Sequence, residues 1–363
     1  MIIRTTFLFA FVSLCAAASP DAVAGGPWVV NVGPKTATIG WLTEEGHVQL
    51  GTTPTDTQLN SAALRSHKVT YTGLTPGTQY FYAVPEHPEL KGSFKTAPTG
   101  AASFKFVVYG DTRTRHDMHQ RVVTAIVKAG PDFLVHTGDL VADGSDTGQW
   151  PTFFSIEHDL LRTTPFYPAQ GNHERNNPQF YDYFASSAPY YSFDWGGVHF
   201  IILNSDLGNV STSSDRRSDF WGEQLRWLEA DLKKAQKADF RFLAFHHPPF
   251  TAVSARQQES MQLQELVPIF EKYKVDVVFA GHDHNYQRHI VNGIQYVVTG
   301  GGGAPLRTVD KPLEGRTVKF ANTEHYVQVV ITPQHARIEA VALDGTLIDS
   351  VELGATAAAA SGQ

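Results

Sequence analysis

The stretch VVYGDTRTRHDMHQ, Val107 to Gln120, holds three kinds of segment in succession. An apolar run of strand length, Phe106-Val-Val-Tyr109, stops at Gly110-Asp111. Beyond a polar turn, His119, Val122, Val123, Ile126 and Val127 follow the i, i+3, i+4, i+7, i+8 spacing of one helix face. Asp117 with Gln120 three residues on resembles an N-cap box, so a helix is expected to open at Asp117 and to bury His119. His116 precedes that cap and is expected to face solvent. Strand, glycine-bearing loop and helix in this order are the unit of a layered α/β domain.

The same unit recurs downstream. Apolar runs at Phe133-Leu-Val-His136, His199-Phe-Ile-Ile-Leu203, Phe242-Leu-Ala-Phe245, Val275-Asp-Val-Val-Phe-Ala280 and Tyr296-Val-Val298 read as strands. Trp221, Leu225, Leu228 and Leu232 place an amphipathic helix over Phe220 to Lys234. The segment from His325 to Leu353 alternates around Asp344-Gly345, a hairpin signal. A domain is therefore expected over residues 104–353, followed by a patternless, disordered tail over 354–363.

Upstream the period changes. Residues 25–98 carry short alternating segments such as Thr36-Ala-Thr-Ile-Gly-Trp41 and Tyr80-Phe-Tyr-Ala-Val84, broken by Gly, Pro and Thr, which reads as an all-β sandwich. Leu74-Thr-Pro-Gly-Thr-Gln-Tyr80 resembles the fibronectin type III signature, implying a tyrosine corner at Tyr80 and Trp41 as the buried tryptophan. Ala97-Pro-Thr-Gly-Ala-Ala-Ser103 reads as the linker between the two domains.

Residues 1–24 read as a cleaved signal peptide: Arg4, an apolar run from Phe7 to Ala18, and Ala22-Val23-Ala24 before Gly25. That run is shorter than the ~18 residues of a spanning helix, so a secreted or periplasmic protein without stable membrane insertion is expected. The only cysteine, Cys15, falls inside the leader, which leaves histidine and carboxylate to do any chemistry. A formal charge of −7 with no basic run gives no footprint for a nucleic acid polymer; a small substrate fits better.

Five loops that follow apolar runs carry ligand-type residues: Gly110-Asp111, Gly138-Asp139, Gly171-Asn172-His173-Glu174, His246-His247-Pro248-Pro249 and Gly281-His282-Asp283-His284. Strand ends of α/β domains converge on one face, and glycine lets the backbone approach a ligand there. Carboxylate, amide and imidazole donors together suit Zn, Mn or Fe and suit calcium poorly. The order GD, GD, GNH[DE], His after a strand, GHxH resembles the calcineurin-like metallophosphoesterases, and the fibronectin-like front with Gly281-His-Asp-His-Asn-Tyr-Gln-Arg288 is similar to their purple acid phosphatase branch.

That resemblance implies a fold of four layers, a β-sandwich flanked by helices. It implies two metal ions, one on Asp111, Asp139 and His284, the other on Asp139, Asn172, His246 and His282, with Asp139 bridging. It implies His173 as the catalytic residue near the leaving group, as proton donor or transition-state stabiliser. It implies a secreted phosphohydrolase in which a metal-bridging hydroxide attacks in line, with a small phosphate ester as substrate. A phosphomonoesterase is the first reading; a phosphodiesterase, acting on cyclic nucleotides or other diesters, and a non-catalytic secreted binding protein are the alternatives. His136 and His247 adjoin ligand positions without matching them and are read as supporting residues. Gly300 to Gly303 precede no phosphate-loop lysine and read as a turn near the site.

Two departures from the branch fall near Asp111. Ala142 stands where a tyrosine ligand, the source of the purple colour, would be, so an enzyme without that absorbance is expected. Arg113 stands where other branches place a histidine ligand, and a guanidinium has no lone pair to give. His119, on the buried helix face, is the expected replacement ligand, and Arg113 is expected either to bind substrate phosphate or to pair with Asp111 or Asp139.

Overall fold

The computed structural model describes residues 21–50 and 59–354. Most of the expected leader and nearly all of the expected tail lie outside them. The front segment forms strands β1 (Val23–Val30), β2 (Thr36–Leu50), β3 (Leu59–Thr72), β4 (Gln79–Val84) and β5 (His87–Lys95). Three strands follow in α/β order: β6 (Phe104–Tyr109), β7 (Phe133–His136) and β8 (Phe166–Pro168). Next come β9 (Tyr191–Trp195), β10 (Val198–Ile202), β11 (Phe240–Ala244), β12 (Val277–Ala280), β13 (Tyr286–Val291), β14 (Ile294–Thr299) and β15 (Thr317–Ala321). The meander β16 (His325–Thr332), β17 (His335–Ala342) and β18 (Leu347–Gly354) closes the chain, with its last turn at Asp344-Gly345 as expected. The helices are α1 (His116–Ala129), α2 (Gln149–Leu161), α3 (Pro178–Tyr183), α4 (Leu207–Val210), α5 (Ser214–Lys234) and α6 (Val267–Lys272).

Two sheets carry the fold, a nine-stranded one ordered β18-β17-β16-β6-β7-β8-β1-β2-β3 and a seven-stranded one ordered β15-β13-β14-β12-β11-β10-β9. Side chains alternate across a strand, so each central strand feeds two cores. Phe106, Val108, Phe133, Phe200, Phe242 and Phe279 fill the space between the sheets. Val107, Tyr109 and Leu134 point the other way, against Val122, Val123 and Ile126 of α1 and Phe153 and Phe154 of α2. On the far side Ile201, Leu243 and Val278 meet Trp221, Leu228 and Leu232 of α5 and Phe270 of α6. Helix, sheet, sheet, helix is the expected layering. It explains why these strands read as continuous apolar runs: both faces are covered.

Strands β6, β7 and β8 run parallel, as do β10, β11, β12 and β14. Their C-terminal ends therefore open on one rim, where the five motif loops emerge.

The front segment is all-β as expected, but it does not close on itself. β1 pairs in parallel with β8 through Val30 and Phe166 and antiparallel with β2, so β1, β2 and β3 extend the first sheet. Only β4 and β5 form a separate two-stranded sheet, anchored where Tyr82 Oη and Ser93 N both donate to Arg162 O at 2.9 and 3.1 Å. The tyrosine corner is present, with Thr75 N donating to Tyr80 Oη at 2.9 Å. The buried tryptophan is not Trp41, which is partly exposed and stacks on His67. Trp28 takes that part, fully buried, 4.0 Å from the Phe154 ring and donating to Tyr183 O. Apolar surface on α2 needs covering, and Trp28 lies on the strand that faces it. Val23 and Ala24, ahead of the expected cleavage point, already belong to β1.

Candidate metal centre

Each motif loop leaves its strand by a sharp turn. Asp111, Asp139 and His282 have φ of 60, 59 and 67°, left-handed backbone that only a few side-chain-bearing residues tolerate. Such conformations persist where the surroundings fix them, and here three sets of contacts do. Asp111 N donates to Gly138 O and Thr112 N to Asp139 O, which ties the first two loops together. The Glu174 carboxylate accepts from Asp139 N at 2.9 Å, Leu140 N at 2.8 Å and Gly171 N at 2.7 Å, binding the second loop to the third. Gly302 N donates to Gly110 O, and a Cβ on Gly302 would stand 2.2 Å from that oxygen. The glycine run is thus a close-packed turn behind Asp111, as its sequence context implied.

The rim gathers one compact donor group. His246 Nε2 lies 3.0 Å from Asn172 Oδ1, 3.1 Å from His282 Nδ1 and 3.3 Å from Asp139 Oδ1, and His282 Nδ1 lies 3.1 Å from Asn172 Oδ1. Four polar atoms facing one another at these separations match the edges of a coordination shell with bonds of ~2.0–2.2 Å. The opposite nitrogen of each ring is occupied. His246 Nδ1 donates to Thr137 O at 2.9 Å, and His282 Nε2 meets Glu259 Oε2 at 3.1 Å. The contact on Thr137 O leaves His246 Nε2 as an inward lone pair, the form a metal takes, while His282 Nε2 meets the Arg256 guanidinium as well as Glu259.

Charge supports the same reading. Burial raises the Asp139 carboxyl, but His246, His173 and Arg113 outweigh it and hold it below the usual range. Burial lowers His246, yet Asp139 and Asp111 raise it overall, a demand for positive charge that a cation would meet. His282 is pushed well down by burial and by His247 and His246 beside it, so it is neutral. Burial and then His246 lower His247 to about 3; its ring centroid is 4.2 Å from that of His282, and its Nδ1 lies 3.0 Å from Ser205 Oγ. His247 thus stands nearer the donor group than its sequence context implied, and it shares one nitrogen cluster with His246 and His282.

The second donor group is Asp111, Asp139 and His284. Asp111 is fully buried and accepts His282 N on both oxygens, at 3.1 and 2.9 Å, with His284 Nε2 3.4 Å from Oδ1. His284 Nδ1 donates to Pro305 O at 2.7 Å, which again frees Nε2. His246 also groups with Asp111 and Asp139, with ligand atoms within 4.8 Å of one another, so the two donor groups meet at His246 as well as at Asp139. Arg113 is there too, its Nε 3.2 Å from Asp139 Oδ2 and its Nη2 3.5 Å from His284 Nε2, with its side chain 15% exposed.

The structure gives His119 a different partner. Helix α1 opens one residue before the expected cap, at His116 after Arg115, and Asp117 lies in its first turn without capping it. His119 is buried as expected, but it points along α1 toward α2, where its Nε2 lies 2.7 Å from Glu157 Oε1. Tyr109 Oη donates to the same oxygen at 2.9 Å, and Phe153 stacks on the ring. A buried carboxylate needs partners, and Glu157, carried by a helix read only as apolar, claims the histidine. His116 is exposed, as expected.

His173 stands at the mouth of the group, 29% exposed, with Nδ1 donating to Ala142 O at 2.6 Å and Nε2 3.8 Å from Asp139 Oδ2. His136 is fully buried, with its Nδ1 accepting from Gly138 N at 3.1 Å, a supporting contact as expected. Sequence reasoning gave no role to Glu174 or to the pair Arg256 and Glu259, joined at 3.1 Å beside His282. Glu174 carried a signal, since it closes the GNHE block; Arg256 and Glu259 carried none.

Residues 104–286 match the family described as calcineurin-like phosphoesterase. An uncharacterised protein of Mycobacterium tuberculosis is 29% identical over 316 residues, covering 75% of this chain and 58% of that protein. Purple acid phosphatase 21 of Arabidopsis thaliana is 31% identical over 265 residues, covering 65% of this chain and 58% of the relative. The chain thus spans under two thirds of the length of these relatives. A purple acid phosphatase from yellow lupin (Lupinus luteus) seeds shares the fold with a TM-score of 0.72 at 18% identity, covering 93% of this chain and 75% of that one.

Proposed function

The chain belongs to the calcineurin-like phosphoesterase family, and from that premise we propose that it is a metal-dependent hydrolase of small phosphate esters, monoesters first. One observation carries the reading: four donor atoms from four loops converge within 3.0–3.3 Å of their neighbours. Asp139, Asn172, His246 and His282 would hold the metal, and their mix of N and O donors fits Fe, Zn or Mn. A metal held there would supply Lewis-acid polarisation of a phosphoryl oxygen and would lower the pKa of bound water.

The chain's own residues do the rest. His173, oriented by Ala142 O, presents Nε2 at the mouth of the group, where it can hand a proton to a departing alkoxide. Arg113 is fixed through Nε and Nη2, while Nη1 has no protein partner among the described residues and can take a phosphate oxygen. Asn209 Nδ2 donates to Asn172 O at 3.2 Å and to Asp206 Oδ2 at 2.8 Å, holding the amide loop in place. The expectation of two bridged ions meets a difficulty at Asp111, Asp139 and His284, three donors that share their space with a guanidinium.

Hydrolysis of p-nitrophenyl phosphate against its bis ester by metal-reconstituted protein tests the proposal. Monoester turnover abolished by chelation is expected; a strong diester preference would replace the first reading with the second, and no turnover of either would remove both. Secretion belongs to the same proposal, resting on Met1 to Ala24. N-terminal sequencing of exported protein should begin at Gly25.

A further inference from the structure

We propose that the Arg113 guanidinium occupies, as a permanent cation, the position the family gives to one of its two metal ions, so that this chain holds a single transition metal. The inference rests on the phosphohydrolase reading for its site but not for its test.

Two independent observations carry it. The first is the donor set: apart from His246, which also belongs to the other group, neither Ala142, which cannot ligate, nor His119, bonded to Glu157, adds a donor to Asp111, Asp139 and His284 among the described residues. The second is where the guanidinium lies. Asp139 divides its two oxygens, Oδ1 facing His246 at 3.3 Å and Oδ2 facing Arg113 Nε at 3.2 Å. The lone pair of His284 Nε2, left inward by the bond from Nδ1 to Pro305 O, faces Arg113 Nη2 at 3.5 Å. Two of the three side chains that would bind an ion on this side therefore face N–H donors of one arginine.

The position of the guanidinium is built in. Arg113 and Thr112 both donate their backbone N–H to Asp139 O, at 3.3 and 3.1 Å, so the arginine is fixed beside Asp139. Arginine stays protonated at any working pH and offers no lone pair. A dication drawn to Asp139 Oδ2 and His284 Nε2 would share their space with a like charge. The arrangement keeps positive charge on both sides of Asp139 while fixing one of the two in the polypeptide.

The test is metal stoichiometry on the full chain, independent of turnover. Apo protein titrated with Mn(II) should bind about one equivalent and give the spin-resonance spectrum of an isolated ion. Arg113→His, which restores a neutral donor, should bind about two equivalents and give the spectrum of a coupled pair. Arg113→Ala, which removes the cation without adding a donor, should take the second ion with weaker affinity. Circular dichroism confirms that each variant is folded. Two coupled ions in the unaltered chain, or one ion in both folded variants, would overturn the proposal. Failure of ester hydrolysis with this stoichiometry intact would count against the functional reading alone.

Discussion

The contrast between His119 and His173 is decided by single hydrogen bonds. His119 is bound to a carboxylate in the core, and its loss leaves Glu157 buried with Tyr109 as its one remaining partner. Breaking a buried pair from one side costs about 3 kcal/mol or more. His119→Ala is therefore expected to lower stability in urea denaturation by about that amount and to leave metal content unchanged. His173 is the reverse case, partly exposed and in contact with no buried charge other than Asp139. His173→Asn keeps a donor for Ala142 O but loses the transferable proton. Its kcat should fall ~10²–10³-fold while metal content and melting temperature hold, as measured by steady-state kinetics beside metal analysis. That Asp111, Asp139, Asn172, His246, His282 and His284 share one rim could be expected because each lies in a short block with fixed neighbours at a strand end. The destination of His119 could not, because periodicity assigns a face and leaves open which residue waits on the facing helix.

At the scale of elements, His199 links three of them. It sits on β10, with Nδ1 2.7 Å from Asp194 on β9 and Nε2 2.9 Å from Asp231 on α5. Burial lowers the imidazole, but the two carboxylates outweigh it and raise it to about 9. An unfolded histidine titrates near ~6.5. A folded pKa above the unfolded one gives stability that is complete below about pH 6.5 and is lost as pH rises through about 9. The unaltered chain should therefore lose about 2 kcal/mol between these limits relative to His199→Gln, with the exposed side of Asp194 keeping the figure below the full shift. Equilibrium denaturation of the pair across that pH range checks it; equal slopes would refute it. Most of the strands were visible in the sequence because fully covered strands leave unbroken apolar runs. The start of α5 at Ser214 was not, since its first turns, Ser214 to Asp219, are polar and only the later turns carry the apolar stripe.

At the scale of the whole molecule, the front segment and the body share hydrogen bonds and cores. Val29, Ala37 and Ile39 enter the cluster between the sheets, and Trp28 enters the one under α2. A chain beginning at Thr99 would uncover Phe154 and leave the β8 edge unpaired. It should lose cooperative melting, while the intact protein unfolds in a single calorimetric transition. Two separate transitions in the intact chain would contradict this. The composition of residues 25–98 announced an all-β segment, but strand period gives no register between distant strands, and the parallel contact of Val30 with Phe166 left no trace in it. The left-handed backbone at Asp111, Asp139 and His282 has a consequence for descent. Asparagine and glycine accept that conformation readily, whereas valine and isoleucine do not. A lineage that loses these side chains while keeping this fold would first pass through Asn or Gly at these three positions, so its history would be written in a narrow alphabet.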